Sequence, residues 1–259
     1  MDLKVTLVDV NPKMVAAWRE VFEDEADVTV VHGSMLDQKV DAWVTPTNSK
    51  ANMDGGLDGA IRKYLGARIQ TKVQGEVARR YQGTLRVGFA TCVETGVAMP
   101  RYLISTPTMH AANEDVSDTL NVALAAAAAL FVADEKAREL PGSLQSVALP
   151  GLGANTGRVP VEICADLMWT AYDLVRNNQF RSFAEVRAAL EGALGDLGNV
   201  APAKAISPAP KPQHQYPAPV KGPPVAKGGV VVPMKPAGTA VTASAPKVSK
   251  KLDDFDDHE

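Results

Sequence analysis

The sequence predicts an α/β protein in which helices cover both faces of a central sheet, a three-layer α/β/α sandwich. Short apolar runs alternate with segments of helical periodicity over residues 1–197, which is typical of such sheets. Two glycine-rich loops, at residues 53–59 and 151–158, each follow an apolar run and lead into a helix. The composition changes near residue 198, so we expect one domain at 1–197 and a tail at 198–259.

The individual elements follow from periodicity and from turn residues. The predicted strands are apolar runs at residues 3–8, 28–31, 40–44, 88–95, 101–106 and 145–149. The predicted helices cover residues 12–22, 58–65, 67–81, 116–140, 161–177 and 182–194. Pro12 suits the first position of its helix, and the alanine run at 125–129 indicates close packing of the fourth helix.

The opening strand, helix and strand allow a second interpretation. With Asp9 at the end of the first strand, they could begin a dinucleotide-binding or methyltransferase domain. The turn between strand and helix lacks the Gly-x-Gly-x-x-Gly pattern of such domains, which argues against this interpretation.

Charge and composition narrow the class of protein. Residues 199–259 hold eight lysines and five acids, so the net charge of −3 leaves the first 198 residues at −6. An acidic body argues against direct nucleic-acid binding, and the first apolar run is too short for a signal peptide or a membrane span. Cys92 and Cys164 are too few for a disulfide framework, which favours a cytoplasmic protein. The proline-rich tail is predicted to be disordered because it lacks apolar periodicity.

The stretch at residues 40–65 contains the chemically informative residues. A strand, a glycine loop and a helix N-terminus in this order present free backbone N–H groups to an anion such as a phosphate. Asn48 and Asp58 lie on either side of the loop. From position alone, Asp58 could be only a helix N-cap and Asn48 only part of a turn after Pro46.

Taken together, the two loops resemble those of the macro domain family, which binds ADP-ribose. The segment from Val40 to Asn48, Val-Asp-Ala-Trp-Val-Thr-Pro-Thr-Asn, resembles a strand that ends in the family's Asn-Ala-Ala-Asn motif. Asp54-Gly-Gly-Leu-Asp58-Gly-Ala-Ile is similar to the first binding loop, Gly-Gly-Gly-Val-Asp-x-Ala-Ile, and Pro150-Gly-Leu-Gly-Ala-Asn-Thr-Gly-Arg-Val-Pro160 to the second. The resemblance covers residues 1 to about 180 and implies a mixed central sheet.

The resemblance also implies roles for individual residues. Asp58 would orient and deprotonate a water, and Asn48 would hold ribose hydroxyls, as the two catalytic residues. The residues implied to bind the ligand are Ser34, Met35, Gly55, Gly56, Leu57, Thr106, Gly153, Ala154, Asn155, Thr156, Gly157 and Arg158. Arg158 could equally be a solvated loop residue.

Three positions depart from the family pattern. Ser34 stands where the family has an acid for the adenine amino group, and Thr45 replaces the first Asn of Asn-Ala-Ala-Asn. Asp54 replaces a loop glycine and places a negative charge near the expected diphosphate. Adenine selectivity and catalysis are the properties that these changes affect.

The expected function is recognition of ADP-ribose or of an ADP-ribosylated macromolecule, with hydrolysis of the ADP-ribosyl linkage. Two other hypotheses remain open: a reader that binds ADP-ribose without cleaving it, and an interaction module that acts through its tail. No cofactor is expected, and the four histidines show no metal-ligand spacing. No membrane partner is expected either. The acidic C-terminus around Phe255 could bind a basic protein partner or serve only solubility.

Overall fold

Six strands form one mixed sheet with helices on both faces in the computed structural model, which describes residues 1–195. The strands are β1 (Lys4–Asp9), β2 (Val28–His32), β3 (Ala42–Asn48), β4 (Thr91–Glu94), β5 (Tyr102–Met109) and β6 (Ser146–Leu149). The helices are α1 (Pro12–Val21), α2 (Gly56–Leu65), α3 (Arg68–Tyr81), α4 (Asn121–Glu139), α5 (Val161–Asn177) and α6 (Phe183–Leu194). The predicted boundary at 197 and the predicted disordered tail at 198–259 lie outside the described residues.

The sheet order is β2-β1-β6-β3-β5-β4. β1 pairs in parallel with β2 and β6, and β3 pairs in parallel with β6 and β5. β4 is antiparallel to β5 at one edge, so the sheet is mixed, as predicted. Because the other five strands are parallel, their carboxyl ends meet at one edge of the sheet, where ligands bind in open α/β sheets.

Alternating side chains of β3 divide the core into two layers. Ala42 and Val44 belong to the larger cluster, which also contains the buried faces of α1, α4 and α5. Trp43 points to the opposite face and joins Ile61 of α2 and Val73 of α3 in the smaller cluster. This alternation is the pattern expected when both faces of a strand are covered.

The alanine run of α4 has the packing role that the sequence predicts. All five residues from Ala125 to Ala129 are fully buried, and the helix packs against α5 and β5. Small side chains allow these backbones to approach closely. Even so, no helix of residues 1–195 combines the length and apolarity needed to cross a bilayer.

Several predicted boundaries are wrong, including the end of β3, which lies at residue 48 instead of 44. Two of the differences have a local reason. α4 begins at Asn121 instead of 116, because the Val116 N–H donates to the Gly157 carbonyl at 3.0 Å and holds the preceding residues in a loop. β5 continues to Met109 instead of 106, because it stays paired with β3 beyond Pro107, with a register shift at Asn48.

Candidate functional site

A cavity of about 900 Å³ lies over the carboxyl ends of the five parallel strands. Four strand spacings of about 4.8 Å give it a span of roughly 19 Å along the sheet edge. Its walls come from the ends of β1, β2, β3, β5 and β6, from the 52–58 and 150–157 loops, and from Ala112 and Asn113. The predicted site residues that line it are Ser34, Met35, Asn48, Gly55, Gly56, Leu57, Asp58, Gly153, Ala154, Asn155, Thr156 and Gly157.

The first glycine loop leads directly into α2. Gly55 is the N-cap and Gly56 the first helical residue, with a left-handed φ of +56° that favours glycine. Asp58 is therefore not the N-cap but the third residue of the helix, within its first turn. Gly55 has no side chain that could cap the helix, so the first N–H groups of α2 lack a side-chain acceptor from the cap, and the residues of this turn line the cavity.

The Asp58 carboxyl is buried at the inner end of this turn. The side chain of Asp58 is 6% exposed, and its Oδ1 accepts a hydrogen bond from the Thr45 hydroxyl of β3. Burial raises the pKa of Asp58 to about 7, because a carboxylate loses its hydration there. The hydroxyls of Thr45 and Thr47 act in the opposite direction, and the charge of Asp54 adds a smaller upward effect. Asp58 therefore exchanges its proton near neutral pH.

Asp54 lies on the rim of the same loop and has a cationic partner. Arg62 of α2 contacts the Asp54 carboxylate at 3.3 Å, and both side chains are substantially exposed. An exposed pair of this kind is weak, since water screens it. Its consequence is local: Arg62 offsets part of the negative charge that Asp54 brings to the cavity.

Asn48 lines the cavity, but its amide is largely occupied by the loop that follows it. Its Oδ1 accepts from the N–H groups of Lys50 at 3.0 Å and Asn52 at 3.3 Å, and its Nδ2 donates to the Asn52 carbonyl at 3.2 Å. These are the bonds of the turn that was the alternative interpretation of this residue. One N–H of the amide is left for a ligand.

The second glycine loop packs too tightly for larger side chains at two places. A Cβ on Gly157 would lie 2.7 Å from the Gly153 carbonyl oxygen and 2.7 Å from a Val116 methyl. Gly153 has a left-handed φ of +75°, and a Cβ there would lie 3.0 Å from Val122. The glycines therefore let the backbone itself form the cavity wall.

The 150–157 loop is fastened to the loop that follows β5. Arg158 pairs with Asp115 at 3.0 Å, and the Val116 N–H bonds to Gly157. The Ser117 hydroxyl and N–H and the Arg158 guanidinium lower the pKa of Asp115 to about 2. The Arg158 side chain is exposed, is paired with Asp115 and does not line the cavity. Its role in ligand binding stays a prediction.

Thr106 is wrongly placed by the sequence interpretation. It is fully buried, and its hydroxyl donates to the carbonyls of Phe89 and Ala125 in the core. β5 runs three residues further than predicted, so Thr108 and Met109 line the cavity instead. A strand end cannot be read from an apolar run that contains Ser, Thr and Pro.

The end of the cavity nearest β1 contains residues that the sequence did not identify as ligand-binding. These are Val8, Asp9, Val10, Asn11 and Met14. The carboxylate of Asp9 accepts from the N–H groups of Asn11 at 2.8 Å and Gly151 at 3.1 Å. Asp9 pairs across the sheet with His32, two residues before Ser34, so a carboxylate lies on the strand beside Ser34. Its position at a strand end, already visible in the sequence, was the available signal.

Residues 1–195 contain no cluster of three or more His, Cys, Asp or Glu side chains arranged to hold a metal ion. The anion-binding potential of the cavity comes from backbone N–H groups.

Comparison with known proteins agrees with this architecture. The model of the Macro domain matches residues 44–168, which include most of β3, both glycine loops and the first half of α5. A macro domain-containing protein of Caldanaerobacter subterraneus is 30% identical over 140 residues, 53% of this chain and 74% of that protein. The chain belongs to the macro domain family.

The chain is also similar to two solved macro domains and to a further relative. The macrodomain of Mycobacterium tuberculosis DarG is 22% identical, with a TM-score of 0.46 over 55% of this chain and 88% of that one. The Oceanobacillus iheyensis macrodomain, solved with ADP, is 16% identical, with a TM-score of 0.48 over 62% and 88%. An uncharacterised protein of Aquifex aeolicus is 30% identical over 142 residues, 55% of this chain and 78% of that protein.

Proposed function

We propose that this macro domain binds ADP-ribose or an ADP-ribosyl group in the cavity and hydrolyses the ADP-ribosyl linkage. The observation that carries the proposal is the buried Asp58 carboxyl, which titrates near pH 7 beside a glycine loop and a helix N-terminus. Family membership supports the binding, and the chemistry of Asp58 supports the hydrolysis.

The diphosphate would lie between the two glycine loops. The first turn of α2 lines this space, and a helix N-terminus favours negative charge. The 150–157 loop supplies the opposite wall from its backbone. Arg62 offsets part of the negative charge that Asp54 brings to this space. The adenosine and the distal ribose of the ligand would then extend along the sheet edge in opposite directions.

Hydrolysis needs a water aimed at the anomeric carbon of the distal ribose. An ionised Asp58 takes a proton from this water as the water oxygen bonds to the anomeric carbon. The bond from that carbon to the modified group breaks, and the departing atom keeps the electron pair. A base with a pKa near the working pH combines a useful ionised fraction with sufficient basicity.

Titration calorimetry with ADP-ribose tests the binding, with AMP, ATP and NAD as competitors. Gly55 is a suitable position for a large side chain that blocks the cavity, because the residue lines it. A Cβ there would meet nothing within 4 Å and the φ is extended, so the backbone accepts other residues. We expect Gly55→Phe to reduce the affinity for ADP-ribose by about fivefold or more, which corresponds to the low end, about 1 kcal/mol, of the cost of forcing extra volume into a filled space.

The matched control is Gly75→Phe on α3, where a Cβ also meets nothing within 4 Å but lies outside the cavity. This variant should bind as the wild type does. Equal affinity in the Gly55 and Gly75 variants would contradict the site assignment, and absence of wild-type binding would contradict the function.

A second candidate function is that of a reader that binds ADP-ribose without cleaving it. The hydrogen bonds that Asn48 already makes favour this candidate. Its amide is largely used by the 48–52 turn, which leaves one N–H to hold a ribose. Wild-type protein that binds ADP-ribose but releases none from mono-ADP-ribosylated protein, DNA or acetylated ADP-ribose would be such a reader.

Discrimination for adenine is expected to be weak at Ser34. The Ser34 hydroxyl already accepts a hydrogen bond from the Leu36 N–H at 3.1 Å. It is therefore a weaker acceptor for the adenine amino group than a free carboxylate would be. Ser34→Asp should increase the ratio of affinities for ADP-ribose and its inosine analogue, measured by calorimetry. An unchanged ratio would mean that Ser34 does not face the base and that Asp9, on the neighbouring strand, is the acceptor to test next.

A further inference from the structure

Two threonines of β3 face the Asp58 carboxyl from the same side of the sheet. Side chains two residues apart on a strand point to the same face, and Trp43 places this face in the core beneath α2 and α3. Thr45 and Thr47 therefore both point toward α2, where Asp58 lies. Both are buried, Thr45 completely and Thr47 with 5% exposed.

The two hydroxyls differ in how they are used. Thr45 donates its hydrogen to Oδ1 of Asp58. The Thr47 oxygen is inaccessible to solvent and has no hydrogen-bond partner of normal geometry among residues 1–195. An unpaired buried hydroxyl is costly, so it calls for an explanation. Thr47 is close enough to Asp58 to favour the charged carboxylate, and it also lines the cavity.

We propose that Thr45 and Thr47 are positioning residues that hold the Asp58 carboxyl between two hydroxyls and exchange one hydrogen bond when it titrates. Thr45 donates to the carboxyl in both protonation states. When Asp58 is neutral, its own O–H donates to the Thr47 oxygen. When the proton leaves for water or for a substrate, the Thr47 hydroxyl rotates and donates to the freed oxygen.

This exchange explains why the unpaired group is a threonine. A hydroxyl can both accept and donate, so it can serve each state of the carboxyl in turn. An alanine in this place could neither accept nor donate a hydrogen bond. An amide side chain would have to rotate by about half a turn to exchange its donor and its acceptor. The importance of the pair for catalysis rests on the proposed role of Asp58 as a base. The hydrogen bonds themselves do not depend on that role.

The charged surroundings of Asp58 are simple within the described residues. Asp54, on the preceding loop, is the charged group that acts on it, and Arg62, one turn along α2, is paired with Asp54. β3 presents only hydroxyls to it. A change at Thr45 or Thr47 therefore alters the pKa of Asp58 through hydrogen bonding, with the charges left in place.

The test is an NMR titration of the Asp58 carboxyl carbon in the full chain without ligand. Thr45→Val, which keeps the side-chain shape, should raise the pKa of Asp58 by about one or more, because a bond to the charged form is lost. Thr45→Ser should restore it. Both valine variants remove a bond from each protonation state. Thr47→Val should raise the pKa by less than Thr45→Val, because Thr47 also accepts a strong O–H bond from the neutral acid, whereas Thr45 donates only a weaker bond to that form.

Thr106→Val is the matched control. It also removes a buried hydroxyl from the sheet, but that hydroxyl bonds to Phe89 and Ala125, away from Asp58. It should leave the pKa of Asp58 unchanged. An unchanged pKa in Thr47→Val would overturn the exchange, and Thr47→Val carries this test even if Thr45→Val fails to fold.

The outcome separates this proposal from the proposed function. A pKa shift in a protein that does not bind ADP-ribose would support the pair and overturn the function. If hydrolysis is observed, the pH at half-maximal rate should move with the pKa of Asp58 in each variant. A rate profile that stays fixed while the pKa moves would show that the pair does not position the base.

Discussion

Turnover of an ADP-ribosylated substrate should fall by about a hundredfold or more when Asp58 is replaced by Asn, the lower range for loss of a general base. The amide has the shape of the carboxyl and can still accept from Thr45. It cannot take a proton from water. Affinity for ADP-ribose should therefore change little, and the loss should appear in kcat rather than KM.

The pH dependence of the wild type provides the internal check. The base must be ionised, and its pKa is about 7, so the rate should rise through pH 7 and level off above it. Asp54→Asn belongs in the same series, because a second carboxylate nearby could take over the role. Full activity in Asp58→Asn, with loss in Asp54→Asn, would transfer the role to Asp54.

At pH 8 and above, Asp58→Asn should be more stable than the wild type, by on the order of 4 kcal/mol. The pKa of Asp58 rises from its ordinary 3.8 to about 7 on folding, so the folded state keeps a proton that the unfolded chain has lost. The stability contributed by this group is fully present below pH 4 and is lost as the pH rises through 7. Asn has no proton to lose, so the variant keeps its stability as the pH rises.

Urea denaturation of both proteins between pH 4 and pH 9 measures this difference. The advantage of the variant should grow as the pH rises from 4 to 7 and remain constant above. The matched control is Asp173→Asn, a half-buried carboxylate on α5 that accepts a hydrogen bond from Asn177 in the next turn. It should show no such trend. A constant difference between wild type and Asp58→Asn would mean that Asp58 is not buried as described.

The sequence predicts the elements well because their signals are local. The periodicity of α5 and the buried run of β6 are contained in the segments themselves. Both glycine loops are likewise readable, since a glycine before a helix has a direct conformational meaning. The same reasoning started α2 near Asp58 and left the N-cap open as an alternative role for this residue, whereas in the structure Gly55 is the cap.

The remaining site residues depend on the sheet order, which is not local information. Asp9 lines the cavity because β6 brings Gly151 beside the end of β1, 142 residues away in sequence. The contact between Thr45 and Asp58 likewise requires α2 to lie over β3. Thr106 was misassigned because only the pairing of β3 and β5 shows where β5 ends.

The place of β6 in the sheet has a consequence for how this protein is made. β6 is the last strand in the described chain, yet it lies between β1 and β3, which do not pair with each other. A nascent chain that has not reached Leu149 holds two strand groups, β2-β1 and β3-β5-β4, with an open edge on each. The cavity spans the junction between them. More than half of the chain must therefore be synthesised before the ligand site can form, and until then the N–H and C=O groups along both edges lack their partner strand.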